Sequence, residues 1–173
     1  MGLSVRDISL NLLRWLFGAV FLFSGLTKAV DPVGTSVFVE KYLTTYGLDA
    51  LMEFALPIAV ALATVELTLG IAVIVNAFHR LTLRISLLFV ALFTLITLLS
   101  ASVLPIGDCG CFGDAVKLSP WATFWKNIGL LVVVVVLLRC DHRGYTTSLT
   151  QIGLCLVGLL FALGLNLYAL RHQ

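Results

Sequence analysis

The stretch Ile128-Gly-Leu-Leu-Val-Val-Val-Val-Val-Leu-Leu138 decides the fold class. Its five consecutive valines would suit a buried β-strand in water, because β-branched side chains favour strands. In a lipid bilayer, however, an isolated strand leaves its backbone N–H and C=O groups unsatisfied, whereas a helix satisfies them internally. The choice between strand and helix therefore depends on whether the chain lies in a membrane.

The composition places the chain in a membrane. Of its 173 residues 60% are apolar and 12% are charged, whereas a soluble domain has about 45–50% apolar and about 25% charged residues. The net charge of +2 is too small for nucleic-acid binding, and so apolar a chain has no reason to stay disordered. We therefore predict an all-α integral membrane protein that contacts lipid and has no nucleic-acid partner.

Five apolar runs approach the length of about 20 residues that a membrane-spanning helix needs. The fourth run is extended at its start by Trp121, Phe124 and Trp125, which suit an aromatic anchor at the membrane interface. The first run is too long for a signal peptide and ends without a small-x-small cleavage site, so we interpret it as a retained helix. The predicted spans are Ile8–Val30, Phe54–Phe78, Leu81–Ile106, Phe124–Leu138 and Leu149–Leu170.

Charged residues predict the orientation. Six of the seven arginines lie on the side of the N-terminus, including those of the short connections 79–84 and 139–143. The positive-inside rule then places the N-terminus in the cytoplasm of a bacterial inner membrane. Two longer loops, 31–53 and 105–123, lie on the periplasmic or outer side, and Ser36–Tyr46 has the pattern of a short helix lying at the interface.

The outer loop 105–123 carries Cys109 and Cys111, separated by Gly110. Thiol pairs outside the cytoplasm become disulfides, and a bridge across one residue closes a small strained ring that is readily reduced. This pattern favours an exchangeable disulfide, with Cys111 as the preferred attacked or attacking sulfur. A purely structural disulfide or half of a metal site are the alternatives, although zinc needs four ligands as a rule and we expect no metal.

Two further cysteines, Cys140 and Cys155, lie on the cytoplasmic half of the last two spans. A free cysteine is commonly a small buried apolar residue. The alternative is an inner dithiol that would let electrons cross the membrane.

Glu66 is the costliest residue of the spans, because an ionisable group at the bilayer centre costs about 2.5–3.5 kcal/mol even on the lenient insertion scale. Counting the helix rise from span midpoints brings Lys126 and Arg14 within reach of it. Lys126 has the better functional claim, since it lies beside Asn127 below the Cys-Gly-Cys loop; an ion pair that only fixes helix packing is the alternative. Lys28 marks the outer end of the first span and either serves the site or extends to the lipid headgroups.

Several of these residues together resemble the methylamine utilisation protein MauE family, within the wider DoxX-like membrane proteins and closest to the DoxX proteins of Bacteroidetes. The resemblance covers residues 10–140. It is carried by Phe23-Ser-Gly-Leu-Thr-Lys28 with Pro32, by Glu66 with Gly70, and by Cys109-Gly-Cys-Phe-Gly113 followed by Trp125-Lys126-Asn127.

The resemblance implies a four-helix membrane bundle similar to those of DsbB and vitamin K epoxide reductase, which we assign to residues 1–140. The apolar pattern adds a cytoplasmic turn and a fifth membrane helix over 141–173, where the chain departs from this four-helix unit. The resemblance also implies disulfide handling in the periplasm with a thioredoxin-like partner, which in MauE serves maturation of a cysteine-rich dehydrogenase subunit. Relatives with a fifth span often continue into an outer thioredoxin-like domain. This sequence stops at Gln173, so either that domain is absent or the sequence is part of a longer chain.

The leading hypothesis is a membrane thiol-disulfide oxidoreductase in which Cys109 and Cys111 exchange with a periplasmic thioredoxin-like protein. Electrons would pass to or from a quinone between the helices. The alternatives are an outward reductant conduit through Cys140 and Cys155, or a non-enzymatic scaffold with a structural disulfide. In the leading hypothesis Glu66 or Lys126 serves protonation, and the quinone site draws on Trp121, Phe124, Trp125, Asn127 and Lys28.

Overall fold

The computed structural model describes residues 5–102, 118–140 and 146–172, and these form helices joined by short turns. Five helices are long and apolar enough to cross a membrane, which confirms the all-α membrane fold predicted from the sequence. In chain order the helices are α1 (Val5–Val30), α2 (Pro32–Thr45), a 3₁₀ helix (Asp49–Phe54), α3 (Ala55–Val75), α4 (His79–Ser102), α5 (Pro120–Cys140) and α6 (Leu149–His172).

The helix bounds agree with the predicted spans except at their ends. The fourth span begins at Pro120 rather than Phe124, because proline is well tolerated in the first turn of a helix, where its missing N–H costs nothing. The third span ends at Ser102 among the described residues. Residues 103–106 of its predicted outer end, like Cys109 and Cys111, lie outside the described residues.

Helix α2 confirms the predicted short helix and begins four residues earlier than the amphipathic pattern suggests. The Asp31 side chain accepts a hydrogen bond from the Gly34 amide at 2.7 Å, and Pro32 occupies the first turn. An aspartate cap followed by proline is a strong helix start signal. Helix α2 packs against α3, and we call the end of the bundle that bears it the outer end.

The helix pair α1 and α3 has the most extensive contact in the molecule. Glycines allow this close approach: a Cβ atom built on Gly25 would lie 2.7 Å from the Leu67 amide nitrogen, and one on Gly70 would lie 2.9 Å from that of Leu22. Small residues let membrane helices come together backbone to backbone. The glycine-lined contact fixes how α1 and α3 are aligned along their lengths.

The remaining long helices surround this pair. Helices α4 and α5 pack against each other, α5 also contacts α1, and α6 packs against α3 and α1. At the inner end, Arg6 donates a hydrogen bond to the Cys140 carbonyl at 2.6 Å, and Gln151 donates one to the Val75 carbonyl at 2.8 Å. These bonds show that the start of α1, the end of α3, the end of α5 and the start of α6 share one end of the bundle.

The outside of the bundle is apolar. Leucines on α4 and α6 are widely exposed, for example Leu88 at 72% and Leu160 at 68%. In water such a surface would aggregate, whereas in lipid it matches its surroundings. The structure therefore agrees with the composition in making this a multi-pass membrane protein.

Candidate functional site

A buried ion pair joins α1 to α3. Lys28 Nζ lies 2.7 Å from Glu66 Oε2, and it also donates to the Ser24 hydroxyl at 2.7 Å and to the Ser24 carbonyl at 3.4 Å. Lys28 is 3% exposed and Glu66 is 5% exposed. Glu66 lies eleven residues into the 21-residue α3, about 16 Å from its start, so the pair sits at the middle of that helix.

This pairing corrects two expectations. Lys28 does not extend to the lipid headgroups, because its side chain is buried inside the bundle. The partner of Glu66 in the salt bridge is Lys28. Counting the helix rise from the midpoint of each span does not place these two residues at the same depth. Arg14, one of the two partners expected from that count, is buried further in along α1 and donates a hydrogen bond to Asn11 at 2.6 Å.

The alignment of α1 and α3 explains why the midpoint count misses Lys28. Gly25 lies against Ala63 and Leu67, so Glu66 is close to the level of Ser24 and only one turn further in than Lys28. Helical side chains lean toward the N-terminus of their helix, and the lysine side chain therefore reaches back by that one turn. The small residues Ser24 and Gly25 indicate in the sequence that another helix packs closely here, but they do not indicate which residues of that helix make the contact.

Lys126 and Asn127, both predicted as site residues, share a small cavity with Glu66. We call this space the polar cavity. It has about 30 Å³ of room for water-sized molecules, which is enough for one or two waters and too little for an organic ligand. Its polar lining residues are Ser24, Glu66, Lys126 and Asn127, surrounded by apolar side chains of α1, α4 and α5.

Asn127 also ties α5 to α4. It is 4% exposed, and its Nδ2 donates to the Thr97 hydroxyl at 3.4 Å. The Thr97 hydroxyl in turn donates to the Phe93 carbonyl at 2.8 Å. The amide therefore lies between the polar cavity and the α4 backbone.

The aromatic residues predicted as quinone walls stand on the outer surface of α5. Trp121 and Trp125 are 50% and 65% exposed, and each packs edge-on against Phe124 with ring centres 6.0 and 5.5 Å apart. These aromatic residues line neither the polar cavity nor the larger apolar cavity described in the next paragraph. Their exposure suits an aromatic anchor at the membrane interface, and their role toward a quinone stays a prediction.

A much larger space, which the sequence does not predict, opens between α2, α3 and α4 near the outer end. We call it the outer cavity. It has about 450 Å³ of room, and its lining is almost entirely apolar. The lining residues are Val39, Tyr42, Leu43, Tyr46, Leu48, Ile58, Leu62, Leu92, Phe93, Ile96, Thr97 and Leu99.

The cysteines are placed only in part. Cys109 and Cys111 fall between the described end of α4 and the start of α5, outside the described residues. Cys140 is exposed at the inner end of α5, and Cys155 is partly buried in α6. Within the described ranges, no group of three or more His, Cys, Asp or Glu side chains is arranged to hold a metal ion.

Comparison with known proteins assigns the family. The family described as methylamine utilisation protein MauE matches residues 6–139, which span α1 to α5 except for the first residue of α1 and the last residue of α5. Protein TlpB of Flavobacterium psychrophilum is 31% identical over 133 residues, which cover 72% of this chain and 35% of TlpB. The chain thus spans about a third of the length of this relative, and no solved structure matches it. With the family matched over most of its length and five membrane-spanning helices in its fold, the chain belongs to the MauE family of membrane proteins.

Proposed function

We propose that the protein is a membrane thiol-disulfide oxidoreductase whose reactive pair is Cys109 and Cys111. The observation that carries the proposal is the Cys109-Gly110-Cys111 motif in the segment joining α4 to α5 of a MauE family member. A disulfide across one residue closes a strained ring and is therefore a better oxidant than a relaxed one. The expected partner is a periplasmic thioredoxin-like protein.

The exchange is balanced in two steps. A thiolate of the partner attacks the Cys109–Cys111 disulfide, forms a mixed disulfide and releases one cysteine of the pair as a thiolate. The second partner thiolate then attacks the mixed disulfide, so that the partner leaves oxidised and the pair is reduced by two electrons. Reoxidation of the pair to the disulfide releases two electrons and two protons, which a membrane quinone takes up to become a quinol.

The ion pair supports this role. Charged groups inside a membrane are expensive and mark proton, ion or substrate pathways by default. Glu66 adjoins a cavity with room for water, and Lys126 lines the same cavity near the outer start of α5. In the proposal, Glu66 and Lys126 move the protons that reoxidation releases, and Lys28 positions the Glu66 carboxyl group through their 2.7 Å contact.

The proposed orientation follows from the arginines. Arg80 and Arg84 start α4 and Arg139 ends α5, at the same end of the bundle as the Arg6 hydrogen bond to Cys140. The positive-inside rule assigns this end to the cytoplasm. The segment that carries Cys109 and Cys111 then joins α4 to α5 at the periplasmic side of the bacterial inner membrane.

Trapping of mixed disulfides tests the proposal. In a single-cysteine variant, Cys109→Ser or Cys111→Ser, the remaining thiolate can attack the disulfide of an oxidised thioredoxin-like protein, but the second cysteine that would resolve the mixed disulfide is missing. The mixed disulfide should therefore accumulate and be detected by mass spectrometry after acid quenching. The matched control is Cys140→Ser with Cys155→Ser, which should exchange at the rate of the unmodified chain.

The alternatives predict other results. If Cys155→Ala abolishes exchange, the chain is an outward reductant conduit through the inner cysteines. If neither single variant of the outer pair yields a mixed disulfide, the disulfide is structural and the chain is a scaffold. Either result overturns the proposal.

A further inference from the structure

The outer cavity has the dimensions of a ligand site. Its room of about 450 Å³ lies within the range of about 300–1,000 Å³ of small-molecule and cofactor sites. Side chains of three helices line it, with Leu43 from α2, Leu62 from α3 and Ile96 from α4 among them, and Tyr46 at the C-cap of α2 also contributes. The space is partly open to the outside, with the lining residue Leu92 56% exposed, so a ligand can enter it from the lipid.

The lining defines the chemistry of that occupant. Among the residues that the structure describes, no charged side chain lines the cavity, and the polar side chains there are the hydroxyls of Tyr42, Tyr46 and Thr97. This described lining offers no partner for the charge of an ion or a phospholipid headgroup, or for the many polar groups of a sugar. It accepts an apolar ring or chain that carries at most a few hydrogen-bond acceptors.

Tyr46 provides a donor for one such acceptor. Its hydroxyl lies 3.4 Å from the Ile96 carbonyl and 3.3 Å from the Ser100 hydroxyl. Both distances are long for an O–H···O bond, whose usual length is about 2.7–2.8 Å. The Tyr46 hydroxyl can therefore donate its hydrogen bond to a carbonyl oxygen of a ligand in the cavity while giving up only weak existing contacts.

The outer cavity adjoins the polar cavity. Phe93 lines both. Thr97 lines the outer cavity and accepts the hydrogen bond of Asn127, which lines the polar cavity. A ligand in the outer cavity is thus separated by one layer of side chains from Glu66 and Lys126, the groups able to exchange protons.

We infer that the outer cavity binds the ring of a quinone, with one ring carbonyl accepting a hydrogen bond from Tyr46 and the isoprenoid tail leaving between α2 and α4. The redox part of this inference rests on the proposed function. The bound quinone takes two electrons from the Cys109 and Cys111 thiols, which become the disulfide, and two protons convert it to the quinol. Binding itself requires only the cavity.

Photolabelling tests the site. The full chain in lipid nanodiscs is irradiated with an azido-substituted short-chain ubiquinone, and the label is mapped by mass spectrometry. We expect label on the cavity-lining stretches 39–48, 58–62 and 92–99. Ile96→Trp, which fills the cavity, should lower labelling at least about tenfold, as loss of a well-filled apolar site does. The matched control is Leu95→Trp on the lipid-exposed side of α4, which should label normally.

A second variant keeps the test informative if Ile96→Trp does not fold. Tyr46→Phe removes one oxygen atom and should lower quinone affinity by about two- to tenfold, the value of one hydrogen bond. Tyr168→Phe on the exposed face of α6 is its control. Unchanged labelling in both Ile96→Trp and Tyr46→Phe would overturn the site.

Two further experiments distinguish a failure of the quinone site from a failure of the proposed thiol-disulfide function. Decylbenzene has a ring and a tail without carbonyls, and it should compete at least tenfold less well than decylubiquinone; equal competition would show that any hydrocarbon fills the cavity and would overturn the inference. Cys109→Ser with Cys111→Ser should label as the unmodified chain does. If that variant labels normally while the unmodified chain shows no thiol exchange, the quinone site stands and the proposed thiol-disulfide function falls.

Discussion

The polar cavity and the outer cavity lie side by side and are built in opposite ways. Around the polar cavity, α1 and α3 approach backbone to backbone through Gly25 and Gly70, and about 30 Å³ stays open. Around the outer cavity, α2, α3 and α4 leave about 450 Å³ between them. The polar cavity is lined by charged side chains, whereas the described lining of the outer cavity contains none.

The difference shows that a buried ion pair and an apolar ligand require different helix packing. A charge in a membrane interior is tolerated when its partner is fixed at hydrogen-bond distance, so the Lys28–Glu66 pair needs a tight, aligned helix contact. An apolar ligand needs room and few polar groups, so it needs helices that separate. Phe93 is the side chain at which the two kinds of packing meet.

The largest stability effect is expected from breaking the ion pair. Glu66→Gln leaves Lys28 buried without its carboxylate, and removing one member of a buried pair costs about 3–5 kcal/mol. The free energy of unfolding in mixed dodecyl sulfate micelles, followed by circular dichroism, measures this loss. The control is Glu53→Gln in the exposed 3₁₀ helix, which should change stability by less than about 0.5 kcal/mol.

The double variant Lys28→Met with Glu66→Leu sharpens the same point. Because neither charge remains buried, it should be more stable than Glu66→Gln, as replacing a buried ion pair by apolar residues is often neutral. We also expect it to have lost proton transfer, and therefore to exchange thiols while failing to turn over with quinone. Full turnover in this variant would mean that the pair serves packing alone.

Disturbing the glycine contact should have an intermediate effect. Gly25→Ala places a Cβ atom 2.7 Å from the Leu67 amide nitrogen, and overpacking of this kind costs about 1–3 kcal/mol. Gly129→Ala on α5 is the matched control, because its Cβ atom would meet nothing within 4 Å. Equal stability of the two variants would show that the α1–α3 contact does not depend on glycine.

The smallest effect is expected at the boundary between the two cavities. The hydrogen bond from Asn127 to Thr97 is long, at 3.4 Å, and side-chain hydrogen bonds between membrane helices average about 0.6 kcal/mol in double-mutant cycles. A cycle of Asn127→Leu and Thr97→Val should therefore give a coupling energy of about 0.6 kcal/mol or less. A coupling above about 2 kcal/mol would make this contact a principal link between α4 and α5.

The sequence predicts the helices well and their mutual placement poorly. The spans follow from hydropathy because lipid leaves the backbone only the helix. The existence of α2 follows from its amphipathic pattern, whereas its start at Pro32 does not, because the cap by Asp31 lies outside that pattern. Lys28 is missed as the partner of Glu66 because each span's own pattern says nothing about how far α1 slides along α3. The outer cavity is missed because it lies between three helices, whose mutual placement no local pattern encodes.

The reduction potential of the Cys109–Cys111 pair in membranes, measured by thiol alkylation in redox buffers with and without added quinone, tests the central claim most directly. An exchange-active pair should titrate between about −120 and −270 mV, the range of thiol-disulfide exchange proteins. Added quinone should return the reduced pair to the disulfide. Two results together would contradict the account: the pair stays oxidised to below about −300 mV, as structural disulfides do, and added quinone does not change its redox state.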